Sequence, residues 1–349
     1  MAEHNLLVIS NNFPNEENSP LGNIFVKERV KHLAKYFDNI YVVSPILYGI
    51  ELIRNKRFNN YQFDNVKVFF PKYINIPLFF YYKKSFYTSL ETKAIVSVIE
   101  QENLKFNLIY AHFTWRAGVN AGNIKRIYGS PVMIIEGTSN SFTNAINSHD
   151  PLWIQAWESA DAIIRPRKGE NDLFLNLGIS SEKLFYIPNG FGSQFHPRPM
   201  EECRGILNLP LEKKILLNVG NLYGPVKGHI YFIKAIKKII NIRKDIIGII
   251  VGSGRLESSL KKLINELDLN QYVFLVGSKP HDEVSLWMNA CDIFVLPSLN
   301  EGNPNVMFEA LGCGKPFVGT RVGGVPDIIT SDEYGLIAEP GDSEDLAEK

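Results

Sequence analysis

From Lys214 onward the chain repeats one unit: a short apolar run, a loop of glycine or polar residues, then a stretch with helical periodicity. The apolar runs are Lys214 to Val219, Ile246 to Val251, Tyr272 to Val276, Cys291 to Pro297 and Pro316 to Thr320. Runs this short, rich in Ile and Val and separated by helices, predict buried strands of a parallel sheet. Helical crossovers between parallel strands put the loops that follow them on one edge of the sheet, where open α/β sheets hold their ligands. The loops gathered there are Gly220 to His229, Gly252-Ser253-Gly254, Gly277 to Pro280, Leu299 to Asn303 and Val322 to Asp327. A last short strand is expected within Gly335 to Gly341, and the chain stops in Ser343 to Lys349 just as another helix begins.

The first half reads the same way, less regularly. Strands are predicted at Leu6 to Ser10, Ile40 to Ser44, Val66 to Phe70, Asn107 to Tyr110, Val132 to Ile135, Ala162 to Arg165 and Leu184 to Ile187. Helices are predicted over Phe25 to Phe37, Trp115 to Ile127, Trp153 to Ala160 and Lys168 to Leu177. Gly22 sits ahead of the first helix, in either a phosphate loop or a plain turn. His112 and Glu136 fall at strand ends on the ligand side, although a histidine there can equally brace a loop. Pro188 to Pro199, with three prolines and two glycines, interrupts the alternation. For 349 residues this divides the chain into domains 1-188 and 213-349 joined by a linker, 189-212.

The most informative loop runs from Leu296 to Glu309. Asn303 is expected to cap a helix with Pro304 in its first position, leaving the amides of Asn305, Val306 and Met307 at the positive end of the dipole, where an anion fits. Glu301 precedes that end, and Glu309 lies about 7 to 8 Å along the helix from Pro304. Carboxylates accept hydrogen bonds from vicinal hydroxyls, so the pair suits a ligand with sugars on both sides of a diphosphate, a nucleotide-sugar. Their alternative is the ordinary one for helix-start carboxylates, favoured by the dipole alone. Lys227, in the glycine-bearing loop before a helix, adds a point charge for phosphate, though Gly-Lys-Ser/Thr is absent.

Composition closes off several classes. Lys plus Arg and Asp plus Glu are each 37, so no net charge field argues for nucleic acid. Cys203, Cys291 and Cys313 lack metal-ligand spacing and fit a reducing, cytoplasmic setting. Neither a signal peptide nor a run of about 20 apolar residues occurs. Twelve Phe or Tyr residues lie between Phe58 and Tyr87, with Arg54, Lys56, Arg57, Lys67, Lys72, Lys83 and Lys84. Segment 54-87 is therefore either core or a surface, around Phe79 to Lys84, that docks peripherally on the inner face of the cell membrane. A dehydrogenase is disfavoured, since no Gly-x-Gly-x-x-Gly follows the first strand and Gly252-Ser253-Gly254 lacks the third glycine.

Taken in order, Val219-Gly-Asn, Lys227-Gly-His, Val251-Gly-Ser-Gly, Val276-Gly, Leu296-Pro-Ser, Glu301-Gly-(x6)-Glu309-Ala, Gly314-Lys-Pro, Val322-Gly-Gly-Val-Pro and Gly335-Leu resemble glycosyltransferase family 4. The resemblance implies a GT-B fold, two Rossmann-like domains with parallel sheets facing an interdomain cleft, the first binding acceptor and the second nucleotide-sugar. It implies retaining transfer of a hexose-type sugar, UDP- or GDP-linked, to a cell-surface glycan or lipid-linked acceptor, with no obligatory metal or other cofactor. Glu301 would hold hydroxyls of the transferred sugar, Glu309 the ribose, and Lys227 the diphosphate. Gly302, Asn303, Asn305 and Val306 would meet the sugar-phosphate end, and Gly277 and Ser278 the base. Gly22, Asn221 and Gly252 would complete the donor site. Three departures stand out. Asn221 replaces an arginine, with Arg321 a substitute in reserve; Glu136 stands where many relatives have histidine, leaving Glu136 or His112 for the reaction centre; and the crossing C-terminal helix is missing. The rival readings are a nucleotide-sugar-binding protein without turnover and a GT-B nucleotide-sugar 2-epimerase.

Overall fold

A computed structural model describes residues 3–17, 24–51, 57–74, 84–136, 140–169 and 171–349. They form two compact units, Met1–Arg165 with Gly169–Ile187, and Pro166–Lys168 with Pro188–Lys349. In the first unit the strands are β1 (Asn5–Ser10), β2 (Asn39–Val43), β3 (Ile46–Leu47), β4 (Tyr61–Phe63), β5 (Val66–Phe69), β6 (Lys72–Tyr73), β7 (Leu108–His112), β8 (Val132–Ile135), β9 (Ala162–Arg165) and β10 (Leu184–Tyr186). Eight of them form a sheet ordered β10-β9-β8-β7-β1-β2-β5-β4, and β3 pairs with β6. All neighbours in the sheet are parallel except β4 on β5. Side chains alternate across a strand, and β1 shows the result: Leu7 and Ile9 enter one apolar cluster, Leu6 and Val8 the other. With both faces covered, all six residues of β1 are buried, which is why the run is continuously apolar up to Ser10.

Several expectations shift. The first helix is Ile24–Leu33. The helix expected from Trp115 forms only at Val119–Tyr128, after an irregular turn over Thr114–Gly118 in which Phe113 has φ 72° and Arg116 φ 64°. The helix Lys84–Gln101 escaped the periodicity reading because its inward face mixes Thr88, Glu91 and Thr92 with Tyr87, Ile95 and Ile99. Part of the basic-aromatic segment is core: Phe69, Phe70, Tyr73 and Tyr87 are buried. Lys72 pairs with Glu51 and Lys84 with Asp150, while Ile74 and Phe86 are exposed. Residues 52–56 and 75–83, with Arg54, Lys56, Phe79 and Lys83, lie outside the described residues. No described helix is long and apolar enough to cross a membrane.

The second unit carries β11 (Lys214–Val219), β12 (Ile246–Val251), β13 (Val273–Leu275), β14 (Ile293–Leu296), β15 (Phe317–Thr320) and β16 (Leu336–Ala338), ordered β13-β12-β11-β14-β15-β16 and parallel throughout. Chain order reverses beside β11, so the ends of β11 and β14 frame the crevice where such sheets bind ligands. Segment 189-212 is no free connector. It contains the helix Met200–Ile206, whose buried Arg204 donates to the carbonyls of Ala290, Pro210, Leu211 and Lys213 and to Asp292. A buried guanidinium is tolerated only when its donors are used in this way, and using them ties the segment to the unit.

Candidate functional site

Glycine sets how closely the loops at the ends of β11, β12 and β14 approach each other. Gly228 has φ +67°, and a Cβ there would sit 1.8 Å from Pro297 O. At Gly252 it would lie 1.9 Å from Gly220 O, and at Gly323 2.2 Å from Glu301 O. No side chain fits such gaps, so backbone stacks on backbone: Leu299 N donates to Val226 O, Gly252 N to Gly277 O, and Gly324 N to Gly302 O. Below the loop, buried His229 has Nδ1 2.7 Å from Asn218 Oδ1 and Nε2 3.0 Å from Asn221 O, and burial lowers its pKa. His229 thus anchors the loop that carries Lys227.

Lys227 and Glu301 meet at this crevice. The ammonium lies 2.8 and 3.0 Å from the two carboxylate oxygens. Glu301 is nearly enclosed, its side chain 7% exposed, and Lys227 is 29% exposed. Ser298, fully buried, donates to Glu301 Oε1 at 2.6 Å, and Thr320 Oγ1 donates to Ser298 O. An enclosed carboxylate needs such partners, since an unpaired buried charge is costly. Ser298, which orients Glu301, is legible in the sequence as part of the Leu-Pro-Ser piece three residues ahead of that glutamate.

The helix after Glu301 is Asn305–Gly312, one residue later than expected, with Pro304 rather than Asn303 at the cap. Met307 N donates to Pro304 O, which leaves Asn305 and Val306 as the amides at the helix start suited to an anion. Asn303 instead braces the loop, its Nδ2 donating to Pro166 O, and Asn189 Nδ2 reaches Asn303 O and Asn305 Oδ1. Glu309, on the same helix, is 8% exposed and accepts from His281 Nε2 at 3.0 Å. Ser278 is exposed, and Gly277 has φ +76° with open space where a side chain would stand. Asn221 is exposed, its side chain turned back to Tyr223 N. Arg321 is bound to Glu339 on the surface.

Residues 199–349 match the family model of glycosyl transferases group 1. The chain is 27% identical over 263 residues to an uncharacterised glycosyltransferase, MJ1178, of Methanocaldococcus jannaschii, covering 72% of this chain and 66% of that protein. It is 26% identical over 268 residues to the putative teichuronic acid biosynthesis glycosyltransferase TuaC of Bacillus subtilis, covering 73% and 63%. The chain thus spans less than two thirds of the length of these curated relatives. The solved Anabaena Alr3699/HepE in complex with UDP superposes with TM-score 0.75 at 20% identity, over 99% of this chain and 88% of that one. The fold is accordingly GT-B, two Rossmann-like units with parallel sheets.

The first unit buries both of its candidates. His112 ends β7, 2% exposed; Arg29 donates to Tyr110 OH, which lies 2.7 Å from His112 Nδ1. Tyr110 OH and His112 Nδ1 share one hydrogen bond, and His112 Nε2 is a buried atom with no hydrogen-bond partner among the described residues. Burial, then Arg29, holds His112 well below the ordinary histidine range, so it is neutral. Glu136, 1% exposed, accepts from Thr114 Oγ1, which accepts from Trp157 Nε1 at 2.7 Å. Burial pushes its carboxyl up to about 7, against the lowering effects of Thr114 and Arg165. Gly22 lies outside the described residues.

Proposed function

We propose that this protein is a retaining glycosyltransferase that moves a hexose-type sugar from a UDP- or GDP-linked donor to a cell-surface glycan or a lipid-linked acceptor. The observation that carries the reading is the Lys227 ammonium held on both oxygens of an almost enclosed Glu301, at the point where strand order reverses. That placement gives the leaving diphosphate a cation, with the amides of Asn305 and Val306 as further donors, and it gives the transferred sugar a carboxylate for its hydroxyls. Bond cleavage at the anomeric carbon leaves its electron pair on a diphosphate oxygen, where these donors act, and the reading calls for no cofactor. Glu309 would hold the ribose, Gly252, Gly277 and Ser278 would border the nucleotide, and His112 and Glu136 remain the first unit's candidates for the reaction centre. The Bacillus subtilis relative is named for teichuronic acid biosynthesis, which supports a role in glycan biosynthesis. Docking of 54-87 on an anionic membrane rests on exposed Ile74, Phe86 and Lys67.

Calorimetry across UDP-, GDP-, ADP- and dTDP-sugars, followed by transfer of radiolabelled sugar, tests the assignment. Lys227→Ala should reduce kcat/KM by roughly two orders of magnitude or more; unaltered transfer would reject the site. Binding without turnover is the second reading, favoured by Asn221 and Glu136. Release of a 2-epimer without an acceptor would instead mark an epimerase.

A further inference from the structure

We propose that His281 is a positioning residue that aims Glu309 at the ribose of the donor, and that Gln194 holds His281 for that task. The inference rests on the donor-site reading above and adds to it the means by which the ribose is selected. Glu309 Oε1 is 3.0 Å from His281 Nε2, whereas Oε2 has no hydrogen bond among the described residues. One carboxylate oxygen is thereby fixed and the other is left to accept from a ligand. On its far side, His281 Nδ1 lies 3.2 Å from Gln194 Nε2. A carboxylate only accepts, so Nε2 carries a proton toward Glu309, and a Gln194 amide that donates to Nδ1 favours that tautomer.

Both ends of the relay are anchored. His281 opens the helix His281–Ala290 directly after the Gly277 to Pro280 loop. The Phe195 ring, 1% exposed, stands 5.0 Å from the imidazole, centroid to centroid. Asn289, on the same helix, donates to His196 O and accepts from Arg198 N. Gly312, ending the helix that bears Glu309, leaves room for the Phe191 ring: a Cβ there would lie 2.5 Å from it. The stretch from Phe191 to Arg198 is thus packed along both helices, and Gln194 is its contribution to the site.

The test compares binding of the nucleoside diphosphate preferred in the donor screen with that of its 2′,3′-dideoxyribose analogue, by calorimetry. Wild type should prefer the hydroxylated nucleotide by about ten- to hundredfold. His281→Ala should reduce that preference to near unity while leaving the dideoxy analogue's affinity unchanged, and His281→Gln, whose amide reaches the same place, should restore much of it. Gln194→Ala should give a partial loss, and His281→Ala should add nothing in a Glu309→Ala background. Equal weakening of both nucleotides by His281→Ala, or an unchanged preference, overturns the inference while the donor site stands. If Glu309→Ala itself leaves the preference intact, or no nucleoside diphosphate binds, the donor-site reading fails and the inference with it.

Discussion

At the ends of β11 and β14 the tightest backbone approaches are made by glycine, whereas at the ends of β1 and β7 the left-handed positions are held by Asn12, Phe113 and Arg116. The second unit omits side chains so that backbone can stack on backbone. In the first, the strained residues use their side chains as anchors: Arg116 is ion-paired with the fully buried Glu91 and donates to Tyr73 OH, and the Phe113 ring stands 4.3 Å from that of His112. Strain of this kind costs about 1–3 kcal/mol per residue and persists only where the surroundings enforce it. Charge follows the same division. Lys227 and Glu301 meet as an ion pair whose lysine is still partly exposed, while His112 and Glu136 are sealed and shifted toward neutrality. The second unit's crevice keeps a partly exposed ion pair at its strand ends, whereas the first unit buries groups that are ion-paired or shifted toward neutrality.

The comparison can be broken most directly at Gly228. Gly228→Ala would place a methyl against Pro297 O, and it should destabilise the second unit by about 3 kcal/mol or more, a fall in melting temperature of roughly 6–12 °C. A loss below about 1 kcal/mol would show that the close approach is not what requires glycine there.

The sealed carboxyl of the first unit gives an effect of similar size that depends on pH. Glu136 is raised to about 7 from the usual 4.5. A raised carboxyl binds its proton more tightly in the folded state, so its contribution is complete below the unfolded value and is lost as pH rises through the folded one. Between pH 4.5 and 7.5 the wild type should lose on the order of 3 kcal/mol that Glu136→Gln does not. His112 acts with the opposite sign, losing stability as pH falls below 6.5, but it is present in both proteins and cancels in the difference. Parallel urea-unfolding profiles for the two would remove the sealed-carboxyl account.

Arg321 should give the smallest effect. Its pair with Glu339 is more than half exposed on both sides, so Arg321→Ala should cost under about 1 kcal/mol and leave donor affinity within about twofold. A tenfold loss of affinity would instead restore the idea that Arg321 takes over the work of the arginine absent at Asn221.

The alternation of apolar runs and glycine loops was enough to read two parallel α/β units, because a strand buried on both faces has to be continuously apolar, as β12 is along its whole length. Glycines at 228, 252 and 323 are legible as loop residues after strands, and the close backbone approaches there leave no room for a side chain. The helix Lys84–Gln101 was hidden because its buried face is half polar, held by Glu91, Thr92 and Asn120 bonding to one another, and a hydrophobicity pattern is blind to such a face. Segment 189-212 looked like a connector because prolines and glycines break helices in a sequence whether or not the chain then packs. Which groups touch was decided by tertiary structure alone. Lys227 and Glu301 are 74 positions apart, His281 and Glu309 28, and Gln194 and His281 87. Contacts across such separations come from the order of strands in the sheet, and a linear pattern can name the residues on one edge without saying which of them pair.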